Sequence, residues 1–225
     1  MTTDTQPLAL TVDAATTVSA LLQAPADARA CYVFAHGAGA GMAHSFMAAV
    51  AAGFAERGIA TLRYQFPYME RGSKRPDTPA VAHAAVRAAV AEAAQRCPGL
   101  PLVAGGKSFG GRMTSQAQAA SPLPGVRGLV FFGFPLHTAG KPAVERAAHL
   151  AQVGCPMLFL QGTRDELAEV ALITGVTKEL GPRATLELVP DADHSFHVPA
   201  RSGRKDAEVL QGLLDVAAGW IGRLR

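Results

Sequence analysis

The sequence predicts an α/β protein, with a mainly parallel, doubly wound sheet of about seven or eight strands, helices on both faces and no large lid domain. Two observations lead to this prediction. Apolar segments such as 31–35 and 129–132 contain no polar residue, as expected of strands buried on both faces. Helix-like segments separate these strands, which is typical of βαβ units. No repeat or linker divides the series, so residues 1–225 are expected to form one domain.

The strands are predicted from short apolar runs. The first two runs alternate partly between apolar and polar residues and flank a short turn, so they are expected to form an antiparallel pair. The later runs are continuous and fit a parallel sheet. In chain order the predicted strands are 8–12, 18–22, 31–35, 59–64, 102–104, 129–132, 157–160 and 184–189.

The helices are predicted from periodicity and from their end signals. Phe46, Val50 and Phe54 share one helical face before Gly58, and Pro79 stands at a first turn, where its missing N–H costs nothing. Residues 65–78 are expected to form a loop. The predicted helices are 45–57, 79–96, 112–120, 142–153, 167–180 and a C-terminal helix that carries leucines from 210 to 224.

Composition limits the classes of function. The chain is 49% apolar and 17% charged, with a mean hydropathy of +0.16 and a formal net charge of +3. It has no basic stripe with interleaved aromatic residues, so nucleic acid is not an expected partner. No signal peptide and no apolar run long enough for a membrane span is visible. The three cysteines lack metal-ligand spacing and indicate reduced thiols in a cytoplasmic protein.

One stretch carries the strongest functional signal. Gly106, Ser108 and Gly110 form a G-x-S-x-G pattern between a predicted strand and a predicted helix. Such a nucleophile elbow holds its serine at positive φ, which requires small residues two positions away on either side. The turn raises the hydroxyl above the sheet and directs free N–H groups of the helix at a developing oxyanion. Ser108 is therefore predicted to be a nucleophile.

Two alternatives remain for this stretch. Glycine accounts for 23 of 225 residues, so the pattern could be an ordinary turn. The order Gly106-Lys107-Ser108 also imitates the end of a phosphate-binding loop. The leading glycine of such a loop would stand at position 101, which is Pro101, and proline lacks the N–H that the loop needs. The sequence thus favours a nucleophile over nucleotide binding.

A serine nucleophile needs a base, and the base needs an acid that orients it. His194 follows the last predicted strand through a turn-forming stretch, and Asp165 follows the strand before it. The carboxyl ends of parallel strands meet at one edge of a sheet, so both side chains are expected near Ser108. The competing base and acids in the sequence are His197, Asp191 and Asp193.

The oxyanion would need two N–H donors. The best candidates are the backbone of Phe109, which follows the serine, and that of Ala38, in the glycine-rich loop after the strand at 31–35. An apolar substrate pocket is expected from residues on loops at the same edge of the sheet, unless they are ordinary core residues. These are Phe66, Tyr68, Met69, Phe134 and His137.

Six motifs occur in order along the chain. They are His36-Gly37-Ala38-Gly39-Ala40, Phe66-Pro67-Tyr68-Met69, Gly105-Gly106-Lys107-Ser108-Phe109-Gly110-Gly111-Arg112, Phe134-Pro135-Leu136-His137, Gln161-Gly162-Thr163-Arg164-Asp165 and Asp193-His194-Ser195-Phe196. Together the motifs resemble the α/β-hydrolase superfamily, near dienelactone-hydrolase-like proteins. The resemblance is greatest to a small subgroup containing testis-expressed protein thirty and the NSL-complex subunit three. The order Ser108, Asp165, His194 along the chain is also that of α/β hydrolases.

The resemblance implies an α/β-hydrolase fold and a serine hydrolase that acts on an ester or thioester of a small-molecule acyl substrate. No metal or cofactor is expected. Because the subgroup includes scaffold members, the alternative is an interaction protein that keeps the fold without using the triad. The basic segment Arg71 to Arg75 is expected to be a solvated charge run rather than a site for an anionic substrate.

Overall fold

A computed structural model describes residues 4–224. Within that range the chain forms a single sheet of eight strands. They are β1 Thr5–Thr11, β2 Thr17–Gln23, β3 Ala30–Ala35, β4 Ile59–Tyr64, β5 Leu102–Lys107, β6 Val126–Phe132, β7 Met157–Gly162 and β8 Ala184–Val189. Their order in the sheet is β1-β2-β4-β3-β5-β6-β7-β8. The pairs β1–β2 and β2–β4 are antiparallel and the others are parallel, which confirms the opening antiparallel pair and the mainly parallel sheet.

Helices cover both faces of the sheet, as predicted. They are α1 Ser45–Ala55, α2 Pro67–Glu70, α3 Pro79–Arg96, α4 Phe109–Ala120, α5 Val170–Leu180 and α6 Asp206–Ile221. Buried side chains of α1 and α6 form one hydrophobic core with their face of the sheet. Those of α3, α4 and α5 form a second core on the opposite face. Strands β3, β4 and β7 are buried along their whole length, as their apolar runs require.

Several predicted segments differ from the structure in type or in bounds, and α4 begins at Phe109 rather than at residue 112. The helix predicted at 142–153 is instead a 3₁₀ helix, Glu145–Gln152, because the buried residues Ala147, Leu150 and Val153 recur every third residue, which matches three residues per turn. The loop predicted at 65–78 contains the short helix α2. The helix predicted from residue 167 begins at Val170, after a turn.

The carboxyl ends of β5, β7 and β8 meet at one edge of the sheet. Between β6 and β7 the only regular element that the structure describes is the 3₁₀ helix, so this connection does not build a separate lid. Among residues 4–224, no helix has the length and apolar character needed to cross a bilayer. The loops after β5, β7 and β8, at this edge of the sheet, carry Ser108, Asp165 and His194.

Candidate active site

The predicted elbow is present at the end of β5. Ser108 lies between β5 and α4 with a φ of 51°, so the positive φ predicted from the pattern is confirmed. The flanking glycines are needed because the turn brings backbones into contact. A Cβ at Gly106 would lie 2.5 Å from the carbonyl oxygen of Ala35, and one at Gly110 would lie 2.6 Å from the same oxygen.

The structure brings the three predicted chemical groups together. Ser108 Oγ lies 2.8 Å from Nε2 of His194, and Nδ1 of the same ring lies 2.7 Å from Oδ2 of Asp165. Because the carboxylate can only accept, Nδ1 carries the proton and Nε2 is free to accept the serine O–H. This arrangement can remove a proton from Ser108 and stabilise the imidazolium that results.

Asp165 is itself held in place on several sides. Its side chain is fully buried. Oδ2 accepts a hydrogen bond from Nε2 of Gln161 at 2.5 Å, and Oδ1 accepts the backbone N–H of Leu167 at 2.8 Å. Through the second bond Asp165 caps a turn, a role that any aspartate at such a position could play. Asp165 therefore combines a structural role with its contact to His194. Gln161 belongs to one of the sequence motifs, but the motif does not predict its contact with the carboxylate.

The residues that compete with Asp165 and His194 in the sequence make other contacts. Nδ1 of His197 bonds to Oδ2 of Asp206 at 2.8 Å, and this carboxylate raises the pKa of the exposed His197. Asp193 accepts the backbone N–H groups of Ser195 and His197 and so shapes the turn. Asp191 is exposed. None of the three takes the place of Asp165 or His194.

The loop after β3 is held by the buried side chain of His36. Its Nε2 accepts the N–H of Phe66 at 3.0 Å, and its Nδ1 donates to the carbonyl of Gly37 at 2.8 Å. These two bonds require a neutral ring, and burial lowers the pKa of His36 to about 4, which keeps the ring neutral near pH 7. The hydroxyl of Tyr68 accepts the N–H of Gly39 at 3.2 Å. Two buried rings therefore fix a glycine-rich loop that would otherwise be flexible.

The two backbone N–H groups predicted to form an oxyanion hole belong to segments that adjoin Ser108. Phe109 is the first residue of α4, and Ala38 lies in the loop after β3. Within residues 4–224, neither N–H donates a hydrogen bond to another group of the chain. A Cβ at Gly37 would lie 3.8 Å from Cβ of Ser108, so this loop runs directly beside the elbow. Both N–H groups are thus available to an oxyanion formed at Ser108.

A cavity of about 740 Å³ opens beside Ser108 and His194. This volume is within the usual range for small-molecule sites. Side chains of α1 give the cavity an apolar wall, and residues near His194 give it a polar rim. The apolar wall contains Phe46, Met47 and Ala49, and the polar rim contains Ser195, His197 and Asp206.

Comparison with known proteins identifies the family. A model of the alpha/beta hydrolase domain matches residues 28–222, which is most of the chain. The chain belongs to the alpha/beta hydrolase family. The fold predicted from the motifs is therefore confirmed at the level of the superfamily.

Solved structures of other alpha/beta hydrolases share the whole architecture. A dienelactone hydrolase from Anabaena variabilis is 21% identical, with 100% of both chains covered and a TM-score of 0.80. An alpha-beta serine hydrolase homologue from Coxiella burnetii is 17% identical over 94% of this chain and 96% of its own, with a TM-score of 0.76. A serine hydrolase without a lid from Xanthomonas campestris is 21% identical over 98% and 96%, with a TM-score of 0.74. At these identities the likeness concerns the fold.

The five residues predicted to form the substrate pocket of this alpha/beta hydrolase do not line the cavity beside Ser108. Phe66 and Tyr68 are fully buried, and their rings pack on that of Phe109 at centroid distances of 5.3 and 6.2 Å. They belong to the core on the face of α3 and α4, whereas the cavity opens on the face of α1. The cavity wall contains none of the five predicted residues, Phe66, Tyr68, Met69, Phe134 and His137.

The basic segment of the alpha/beta hydrolase lies in solvent. Arg71, Lys74 and Arg75 are exposed, and none of them lines the cavity beside Ser108. The guanidinium of Arg71 pairs with Oδ1 of Asp77 at 2.6 Å. Such exposed pairs contribute little to stability. The segment thus fits the predicted solvated charge run.

The close packing at the elbow gives a prediction for stability. Replacing Gly106 by alanine is expected to lower the free energy of unfolding by about 1–3 kcal/mol, because the new Cβ must displace the backbone at Ala35. Gly212 is a matched control, since a Cβ there meets no atom within 4 Å and the residue lies inside α6. Gly212→Ala should stabilise the protein by roughly 0.5–1 kcal/mol. Urea unfolding measures both, and equal effects of the two changes would contradict the packing at the elbow.

Proposed function

We propose that this alpha/beta hydrolase is a serine hydrolase that cleaves a carboxylic ester or thioester of a small acyl-bearing molecule. One observation carries the proposal. A continuous hydrogen-bonded chain runs from Ser108 Oγ through the ring of His194 to buried Asp165, and it starts at a cavity large enough for a small molecule. The closer likeness to the testis-expressed protein thirty and NSL-complex subunit three subgroup stays a prediction.

The first half of the proposed reaction forms an acyl-enzyme. Ser108 Oγ bonds to the carbonyl carbon of the substrate while Nε2 of His194 takes the hydroxyl proton. The carbonyl electron pair moves to the oxygen, and the N–H groups of Ala38 and Phe109 stabilise the resulting charge. When this intermediate collapses, the bond to the leaving alkoxide or thiolate breaks, and the leaving group takes the proton from His194.

The second half returns the enzyme to its starting state. A water molecule attacks the acyl group on Ser108, and His194 takes a proton from the water. Collapse of the second intermediate breaks the bond to Ser108 Oγ, which regains a proton from His194, and releases the carboxylic acid. Asp165 keeps the proton on Nδ1 throughout and so leaves Nε2 as the atom that exchanges protons. The mechanism uses protein groups and water alone.

Pre-steady-state hydrolysis tests this proposal. With p-nitrophenyl acetate and with an acetyl thioester, we expect saturable release of the leaving group. If deacylation is slow, an initial burst approaching one equivalent per chain should precede the steady rate, because the acyl-enzyme accumulates. Linear, non-saturable release at the rate of heat-denatured protein would contradict the proposal and favour the alternative of an interaction protein.

A further inference from the structure

A lysine side chain is enclosed between the elbow and the loop that carries His194. Lys107 is the last residue of β5, and its Nζ donates to the carbonyl of His194 at 2.6 Å. The ammonium lies 5.5 Å from the ring centroid of Phe196 and 6.0 Å from that of Phe46. Both distances are within the range of cation–π attraction. The lysine therefore has a strong acceptor and two aromatic neighbours, and it stands directly before Ser108.

The chain leaves space for this contact at Gly133. A Cβ at that position would lie 3.0 Å from Nζ of Lys107 and 3.3 Å from Nδ1 and Cε1 of His194. Residue 133 also has a φ of 69°, a conformation that favours glycine. The ammonium and the imidazole thus occupy a space that a side chain at 133 would fill.

His194 needs such support because it lies in a turn outside any strand or helix. Its ring must meet Ser108 at one nitrogen and Asp165 at the other, and the position of the ring depends on the backbone from which it projects. We propose that Lys107 is a positioning residue, whose ammonium group holds the main chain of His194 so that the imidazole stays between Ser108 and Asp165. The inference rests on the proposed function, since the position of the ring matters for proton transfer.

The charge on Lys107 makes this support depend on pH. Burial lowers the pKa of Lys107 to about 8, and Asp165 and Asp193 oppose part of that decrease. Above this pH the neutral amine loses its attraction to the two rings and keeps only a weaker, uncharged hydrogen bond. The remaining titratable groups of the adjoining cavity are His44, His197 and Asp206, and none of them contacts Nζ in the described part of the chain.

The first test is a pH profile of kcat and KM for p-nitrophenyl acetate, between about pH 6 and about pH 10, corrected for the rate of Ser108→Ala. The kcat of wild type should fall about five- to tenfold as Lys107 loses its proton. This factor corresponds to the difference in strength between a charged and a neutral hydrogen bond. Lys107→Met should have a kcat about 10²-fold lower with little change in KM, and no alkaline limb near pH 8. Lys107→Arg should recover part of the rate and keep it at high pH, because arginine stays charged.

Exposed Lys178 at the end of α5 supplies the matched control, and Lys178→Met should behave as wild type. The inference would be overturned if Lys107→Met kept the kcat of wild type together with its decrease near pH 8. The proposed function would then remain intact. Should Lys107→Met fail to fold, Lys107→Arg still decides, since an unchanged limb near pH 8 in that variant would also overturn the inference.

The second test does not need activity. The folded pKa of Lys107, about 8, lies below its ordinary value of 10.5, so between these values the unfolded chain binds more protons. The free energy of unfolding of wild type, relative to Lys107→Met, should therefore rise as the pH increases from about 8 to about 10.5. A difference in the free energy of unfolding that does not change with pH would overturn the inference that the ammonium of Lys107 is enclosed. If the difference rises but wild type hydrolyses no ester, the proposed function fails, and the positioning role fails with it.

Discussion

Replacing Ser108 by alanine is expected to lower kcat for ester hydrolysis on the order of 10⁶-fold. The change removes the oxygen that lies 2.8 Å from Nε2 of His194, so the base has no hydroxyl to activate. In the proposed mechanism the N–H groups of Ala38 and Phe109 remain and stabilise the oxyanion formed by water, which leaves a residual rate above that in solution. Steady-state kinetics with p-nitrophenyl acetate measure the loss.

The chain contains a matched control for this change. Ser115 Oγ lies 2.7 Å from Nε2 of His149, so a second serine and histidine are in contact. Burial, with help from nearby Arg112, lowers the pKa of His149 to about 4, and within residues 4–224 no carboxylate bonds to its ring. Ser115→Ala should therefore keep the wild-type rate. Equal rates in Ser108→Ala and wild type, or a large loss in Ser115→Ala alone, would contradict the assignment of the nucleophile.

Replacing Asp165 by asparagine is expected to lower kcat by about 10⁴-fold with the fold retained. The side-chain amide can direct N–H at Nδ1 of His194, which favours the tautomer with its proton on Nε2. In that tautomer Nε2 cannot accept the proton of Ser108. Circular dichroism and the urea midpoint show whether the variant is folded, because Asp165 also accepts hydrogen bonds from Gln161 and Leu167.

Asp191 provides the comparison for this second change. It is exposed and has a φ of 61°, a backbone conformation that asparagine adopts readily. Asp191→Asn should have the activity of wild type. A folded Asp165→Asn protein with a rate close to wild type would show that the carboxylate does not set the tautomer of His194.

The meeting of Ser108, Asp165 and His194 could be predicted from the sequence because of the topology of the sheet. Each of the three follows a strand, and parallel strands end at the same edge. The positive φ at Ser108 could be predicted as well, since it follows from the glycines on either side. Distances of tens of residues along the chain therefore did not prevent the prediction.

The wall of the cavity could not be predicted in the same way. Phe46 and Phe66 are both aromatic residues on segments that leave the edge of the sheet, yet Phe46 lines the cavity and Phe66 is buried in the core. What distinguishes them is the face of the sheet on which each packs. That face depends on how α1 and α3 dock, which is a tertiary property that periodicity does not contain.

The supporting contacts were also beyond prediction. His36 and Gln161 belong to motifs of the sequence, but their roles depend on partners 30 and 4 residues away along the chain. In the sequence, Lys107 is part of a pattern that imitates the end of a phosphate-binding loop. Its side chain instead bonds to the carbonyl of His194, 87 residues further on. The partners of these three side chains depend on the register of the sheet and on the paths of the loops, which the sequence patterns do not contain.

Labelling with a fluorophosphonate, followed by peptide mapping, tests the central claim most directly. The claim predicts one adduct per chain on the peptide that contains Ser108, since an activated serine oxygen displaces fluoride from phosphorus. The adduct should be absent from Ser108→Ala and should form much more slowly on a folded His194→Ala variant, which lacks the base. An adduct on any other residue, or equal labelling rates in wild type and His194→Ala, would contradict the claim that His194 activates Ser108.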